Sequence, residues 1–145
     1  MDSLKILHLS NVIGVKKGGG IHEVVSNFYK YQKQLNHEPS IWYPGDVSDA
    51  DSIRLDNNIR ELDTYDVGQL GILKGLFEAV PNEVSNFDII HQHGIWTPLS
   101  LYAQKLRRKS KLKMVVQPHG FLEPYRLNIS KYKKKLAYQL FERSN

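Results

Sequence analysis

The stretch from Leu4 to Tyr43, LKILHLSNVIGVKKGGGIHEVVSNFYKYQKQLNHEPSIWY, decides how the chain folds. Leu4 to Ser10 is a short apolar run with Ile6, Leu7 and Leu9 between polar residues, a length that suits a buried strand better than a helix. Asn11 to Gly20 ends in Gly18-Gly19-Gly20. Three consecutive glycines do not nucleate regular structure cheaply, so this segment reads as a loop. From Ile21 the period becomes helical: Ile21, Val24, Val25, Phe28, Tyr31 or Gln32, and Leu35 fall on one side. Asn36-His37-Glu38-Pro39 stops that helix, and Ser40 to Tyr43 reads as a second strand. Strand, glycine loop, helix and strand in that order are one unit of a parallel sheet.

The rest of the chain extends the pattern. Asp46 to Asn58 is acidic and turn-rich, an exposed loop, and Ile59 to Leu62 reads as a third strand. Leu70, Leu73, Leu76, Phe77 and Val80 are spaced for a helix over 70–84, although Gly71, Gly75 and Pro81 weaken it. Phe87 to Gly94 is a strand that ends at a glycine. Pro98 to Lys109 is a helix with Thr97 as its N-cap, Pro98 in the first turn, and Leu101, Tyr102 and Leu106 toward the sheet. Lys113 to Gln117 is the next strand. Ser130 to Arg143 is a helix capped by Ser130, with Tyr132, Leu136, Leu140 and Phe141 on one side and lysines on the other. The expected fold is therefore α/β, a Rossmann-like parallel sheet with crossover helices and no internal repeat. The final helix runs to Asn145 with no closing strand after it.

Composition bounds the function. The 145 residues hold one domain, and 41% apolar residues are enough to build a core. Cysteine is absent, which removes disulfides and thiolate metal sites and fits a reducing compartment. The N-terminus enters a strand directly, without a basic segment followed by an apolar one, and no segment approaches the ~20 apolar residues of a membrane span. A cytoplasmic protein is expected. The formal net charge is +5. It is concentrated in one cluster from Lys105 to Lys113 and a second from Arg126 to Arg143. Such clusters suit an anionic lipid, a nucleic acid or a phosphorylated ligand, and equally a solvated helix face. No recognition-helix motif or aromatic-and-basic strand accompanies them, so no nucleic-acid partner is expected.

In a parallel sheet, ligands bind beyond the carboxyl ends of the strands. Three strand ends carry suggestive residues. Gly18-Gly19-Gly20 opens a helix, where backbone amides favour a phosphate; yet neither G-x-G-x-x-G nor a P-loop is present, and a bare flexible turn fits as well. His91 and His93 are two apart on a strand and point the same way. With His119 they could form a three-histidine zinc site, but no carboxylate second shell is evident, and one of the pair reads equally as a satisfied core histidine. His119 stands between Pro118 and Gly120, with Glu123 nearby. An imidazole there can hydrogen-bond a substrate hydroxyl, shuttle a proton, or simply cap the strand end.

Taken together, Gly18-Gly19-Gly20 before a helix, FDIIHQHGIW at Phe87 to Trp96, VVQPHGFLEPY at Val115 to Tyr125, and the helix KYKKKLAYQLFERSN resemble the N-terminal half of glycosyltransferase family 4. The resemblance covers nearly the whole chain. It implies the GT-B architecture, in which two Rossmann-like domains face each other across a cleft. The N-terminal domain mostly binds the acceptor; the C-terminal domain binds the nucleotide-sugar and carries an E-x7-E motif. It also implies a retaining transfer that needs no metal and no cofactor, which argues against the zinc reading. Carried over residue by residue, Gly18, Gly19 and Gly20 lie near the donor phosphates. His119 contacts the transferred sugar, with Gly120 and Glu123 beside it, and His93 and Gly94 lie on the acceptor side. Tyr125 stands where family members often have tryptophan.

No E-x7-E of a second domain can be assigned, so residues 1–145 are expected to be the acceptor-side domain alone: a fragment, a truncated frame or one part of a split enzyme. The expected activity is transfer of a hexose from a nucleotide-sugar to a polysaccharide or lipid-linked acceptor, with negligible turnover by these residues alone. The alternative is a module that binds a membrane surface or partner through the lysine-rich final helix, at the inner face of the cell membrane. In isolation His119 is expected to behave as an exposed histidine at a strand end.

Overall fold

The computed structural model describes residues 2–11, 15–44, 57–65 and 72–140. Five strands form one sheet: β1 (Lys5–Ser10), β2 (Glu38–Pro44), β3 (Ile59–Leu62), β6 (Ile89–His93) and β7 (Lys113–Gln117). Their order is β3-β2-β1-β6-β7, and every neighbouring pair is parallel. The chain thus builds outward from β1 to β3, then returns to the other side of β1. That reversal makes the carboxyl ends of β1 and β6 the switch point where α/β folds place their ligands.

Helix α1 (Val15–Gln34) and helix α2 (Pro98–Ser110) are two of the crossovers. The apolar cluster that includes Leu99, Tyr102, Ala103 and Leu106 of α2 takes Leu7 and Leu9 from β1 and Ile90 from β6. A second cluster joins Val25 and Tyr29 of α1 to Ile41 and Tyr43 of β2. Alternation along each strand sends neighbouring residues to opposite faces, so His8, His91 and His93 share the face opposite Leu7, Leu9 and Ile90. Strand positions in a parallel sheet are normally aliphatic on both faces; here histidines occupy the face of β1 and β6 that α1 covers.

Several expectations needed revision. Helix α1 begins at Val15, earlier than the loop reading of Asn11 to Gly20 allowed, and its break is confined to Gly19, at φ 46° and ψ −133°. Glycine tolerates that positive φ, which other residues adopt at a cost. In α2 the buried residues include Leu99, and Leu101 is exposed. Thr97 holds the N-cap position without a side-chain cap bond. Within 70–84 the described residues form no α-helix: β5 (Ile72–Leu73) pairs antiparallel with β4 (Thr64–Tyr65), and 3-10 turns cover Lys74–Leu76 and Asn82–Asn86. The carbonyls of Gly75 and Leu76, which a helix would have used internally, accept hydrogen bonds from Lys105 Nζ at 2.7 and 3.0 Å. Gly75 itself lies flat against Tyr102, whose ring atom Cε2 would be 2.7 Å from any Cβ there.

After β7 come α3 (Pro124–Asn128) and α4 (Lys131–Leu140), which pack on each other. Tyr132, Leu136 and Tyr138 of α4 are exposed. The expected acidic loop falls mostly, and Phe141 wholly, outside the described residues. No helix among the described residues is long and apolar enough to cross a membrane.

Candidate functional site

The three strand ends singled out in the sequence do meet. Beyond β7, Pro118-His119-Gly120-Phe121 closes a turn in which the Phe121 N–H donates to the Pro118 carbonyl at 3.1 Å. Its two central residues both have positive φ, His119 at 51° and Gly120 at 77°. Two consecutive positive φ angles are the signature of a type I′ turn, which favours a polar residue followed by glycine. The turn presents the His119 ring. Beyond β6 the chain turns through Gly94, at φ 86°, whose N–H donates to the Gln117 carbonyl at 2.8 Å and so ties the two strand ends together.

A cavity of about 340 Å3 lies at this edge, lined by Gly20, Ile21, His119, Phe121 and Arg126. The helix bends sharply at Gly19 beside this edge, and a helix start at Gly20 favours negative charge. Arg126 adds a full positive charge; its guanidinium sits 5.8 Å from the centre of the Phe121 ring. One wall is therefore cationic and one presents an imidazole.

Behind His119 the histidines form a line. His119 Nε2 lies 2.9 Å from His93 Nδ1, His93 Nε2 lies 2.9 Å from His8 Nδ1, and His8 Nε2 lies 2.7 Å from Gln32 Oε1. The planes of His93 and His119, and those of His8 and His93, lie within 30° of each other, with centroids 5.2 Å apart, so the rings meet edge to edge through their nitrogens. Phe28 of α1 closes over the group, edge-on to His91 with centroids 5.2 Å apart. His8 and His93 are fully enclosed, at 0 and 1% exposure. Burial strips water from the imidazolium form and lowers His8 to about 4, against the raising effect of its bond to Gln32 and with repulsion from His91 adding to the fall. The same desolvation, helped by repulsion from His91, His8 and His119, takes His93 down to about 2. His91 is lowered by burial despite its bond to Gln117, and His119 is lowered by partial burial. All four rings are thus biased toward the neutral form.

Not every sequence-derived candidate reaches the cavity. Gly20 and His119 do; Gly120 shares the turn with His119 but is not among the lining residues. Gly19 makes the break that lets α1 restart, and Gly18 precedes it. His93 is buried with both nitrogens engaged by other histidines, and the Gly94 N–H is committed to Gln117. Glu123 is exposed and stands at the N-cap position of α3 without a side-chain cap bond, and it is not among the residues that line the cavity. His119 is half-buried and hydrogen-bonded, which corrects the expectation of an exposed histidine at a strand end.

Three contributors were not singled out. His8 lies inside an apolar run; Gln32 shared its helical position with Tyr31; Arg126 was one of many basic residues. Among the described residues, the histidines close enough to share a metal ion are His8, His91 and His93, with ligand atoms within 4.8 Å of one another, rather than His91, His93 and His119. In their present arrangement the ring nitrogens of His8 and His93 are spent on hydrogen bonds instead.

Compared with known families, residues 18–145 match the model of glycosyltransferase family 4. A search of curated proteins finds no match.

Proposed function

This chain belongs to glycosyltransferase family 4, and on that premise we propose that it is the acceptor-side domain of an enzyme that transfers a hexose from a nucleotide-sugar to a saccharide or lipid-linked saccharide, with retention at the anomeric carbon. The observation that carries this reading is the cavity at the switch point, where a helix N-terminus at Gly20, the Arg126 guanidinium and the His119 ring face one space. Sugar transfer builds negative charge on the leaving diphosphate and positive charge on the sugar ring. Arg126 and the first amides after Gly19 meet the former. His119 meets the sugar: a neutral imidazole there binds a hydroxyl without adding a positive charge beside an oxocarbenium-like centre.

The test uses the transferase that contains this domain, assayed against a panel of nucleotide-sugars with product detected by mass spectrometry and anomeric configuration by NMR. His119→Ala should lower kcat by roughly 10²–10⁴-fold, as loss of a positioned acid–base or hydrogen-bonding group does. Arg126→Gln should weaken diphosphate binding. Full activity in His119→Ala would sink the assignment, and an inverted product would remove the retaining mechanism. A polypeptide of these 145 residues alone should give no product; robust transfer by it would overturn the two-domain reading.

A second reading is supported by α4, which exposes Tyr132, Leu136 and Tyr138 beside Lys131 and Lys135. Apolar and basic side chains together suit the surface of an anionic bilayer. Sedimentation with anionic vesicles at low salt should carry the protein down, and neutral vesicles should not; equal absence from both pellets refutes membrane contact.

A further inference from the structure

We infer that Gln32, His8 and His93 are positioning residues for His119: together they form a one-way chain of hydrogen bonds that fixes the His119 proton on Nε2 and leaves Nδ1 free to accept a hydrogen bond from a hydroxyl group. The inference deepens the sugar-contact reading of His119 and rests on it for its chemical purpose.

A neutral imidazole has one N–H and one lone pair, so it passes on the polarity it receives. The chain starts at Gln32, whose Oε1 faces His8 Nε2 at 2.7 Å. A carbonyl oxygen accepts, so His8 carries its proton on Nε2 and offers a lone pair at Nδ1. His93 must then donate from Nε2 across 2.9 Å, which leaves its Nδ1 as an acceptor. His119 must donate from Nε2 to that nitrogen, again across 2.9 Å. Reversing any single ring would set two protons or two lone pairs against each other in a site from which water is excluded. The tautomer of His119, half-buried at the cavity, is therefore written by an amide farther along α1, on the same face of the sheet.

The chain holds the proton in place and does not carry charge away. His8 and His93 are enclosed, and burial keeps both neutral over the pH range where an ordinary histidine titrates. A proton taken up at His119 Nδ1 stays on that ring, and its Nε2–H still donates to His93. The chain is compatible with both protonation states of its last member. His91 packs beside the line, its ring centre 4.1 Å from that of His93, but its side-chain bond goes to Gln117.

The experiment reads nitrogen chemistry directly. In protein labelled with ¹⁵N-histidine, long-range ¹H–¹⁵N correlation distinguishes the protonated from the bare nitrogen of each ring. At alkaline pH the wild type should show His8, His93 and His119 all protonated on Nε2. Gln32→Glu, which can only accept, should preserve that pattern. Gln32→Lys, which can only donate, should reverse it, moving the His119 proton to Nδ1. A wild-type His119 protonated on Nδ1 overturns the inference, as does the same His119 tautomer in Gln32→Glu and folded Gln32→Lys. If Gln32→Lys does not fold, the wild-type spectrum alone decides. Stoichiometric zinc in the purified protein, with His8 and His93 coordinated, also overturns it. Because no substrate is involved, a correct tautomer pattern with no sugar transfer would fail the functional reading and leave this one standing.

Discussion

Acidification should unfold this protein through two histidines that its sheet refuses to charge. His8 and His93 are enclosed, with His8 held at about 4 and His93 at about 2, chiefly because burial desolvates the imidazolium. In the unfolded chain both return to the ordinary value near 6.5. Their folded values lie below their unfolded ones, so the stability they contribute is fully present above about pH 6.5 and is lost as pH falls through that value toward 4 for His8 and lower for His93. Below 6.5 the unfolded state binds protons at His8 and His93 that the native state does not, a slope of about 3 kcal/mol per pH unit, and His91 and His119, lowered in the same direction, add to it. Between pH 7.5 and pH 5 each histidine removes about 2 kcal/mol, about 4 kcal/mol together. That is a large share of the 5–15 kcal/mol available to a domain of this size. Most carboxylates are still ionised at pH 5, so the window isolates the histidines. Urea unfolding followed by the fluorescence of Trp42, buried edge-on to Phe87, would show the midpoint falling steadily with pH at constant m. His8→Gln should make the slope distinctly shallower, whatever it costs at pH 7.5, with His93, His91 and His119 supplying the remainder. A midpoint unchanged from pH 7.5 to pH 5 would refute the reasoning.

Gly75→Ala should destabilise the fold by about 1–3 kcal/mol, because its Cβ would enter the Tyr102 ring at 2.7 Å; wild-type stability in urea would show that the contact yields. Lys105→Met leaves the carbonyls of Gly75 and Leu76 without their donor, at a cost of about 1–3 kcal/mol, and should speed amide exchange across residues 74–77. Unchanged exchange there would disprove the bracing role. At Gly120, φ is 77°, so Gly120→Val should cost at least about 1–2 kcal/mol and Gly120→Asn distinctly less; equal melting temperatures for the two variants would contradict the turn assignment.

The fold was legible wherever a single period governed a segment. The strands of the β1–α1–β2 unit and β6 and β7 follow from apolar runs and their punctuation, within a few residues at each end, whereas α1 starts at Val15, inside the stretch that its glycines mark as a loop. The region 70–84 misled because Leu73, Leu76, Phe77 and Val80 have helical spacing, while the group that claims the backbone there, Lys105, lies about thirty residues downstream. No local window contains that competition. The site was half legible. His119 and the glycines stand at punctuation marks, and histidines beside glycine draw notice. His8 does not, because in sequence it interrupts nothing; only the register that sets His8 against His91 and Ser10 against His93 brings it to the site. Tyr31 and Gln32 differ by one helical step, and the choice is made by a hydrogen bond to a residue on another element. Tyr31 is left 63% exposed.

The left-handed backbone at His119 also bears on how the protein would respond to engineering. A non-glycine residue at positive φ is among the first places where a stabilising redesign looks for gain, since glycine or asparagine sits there at lower cost. At this position the comfortable residue would delete the imidazole that faces the cavity and with it the end of the histidine line. Trp96, at φ 66° just beyond β6, invites the same repair. A library selected for heat resistance alone would therefore drift toward a sturdier domain with an emptied recess, and His119 belongs on its list of residues to be held fixed.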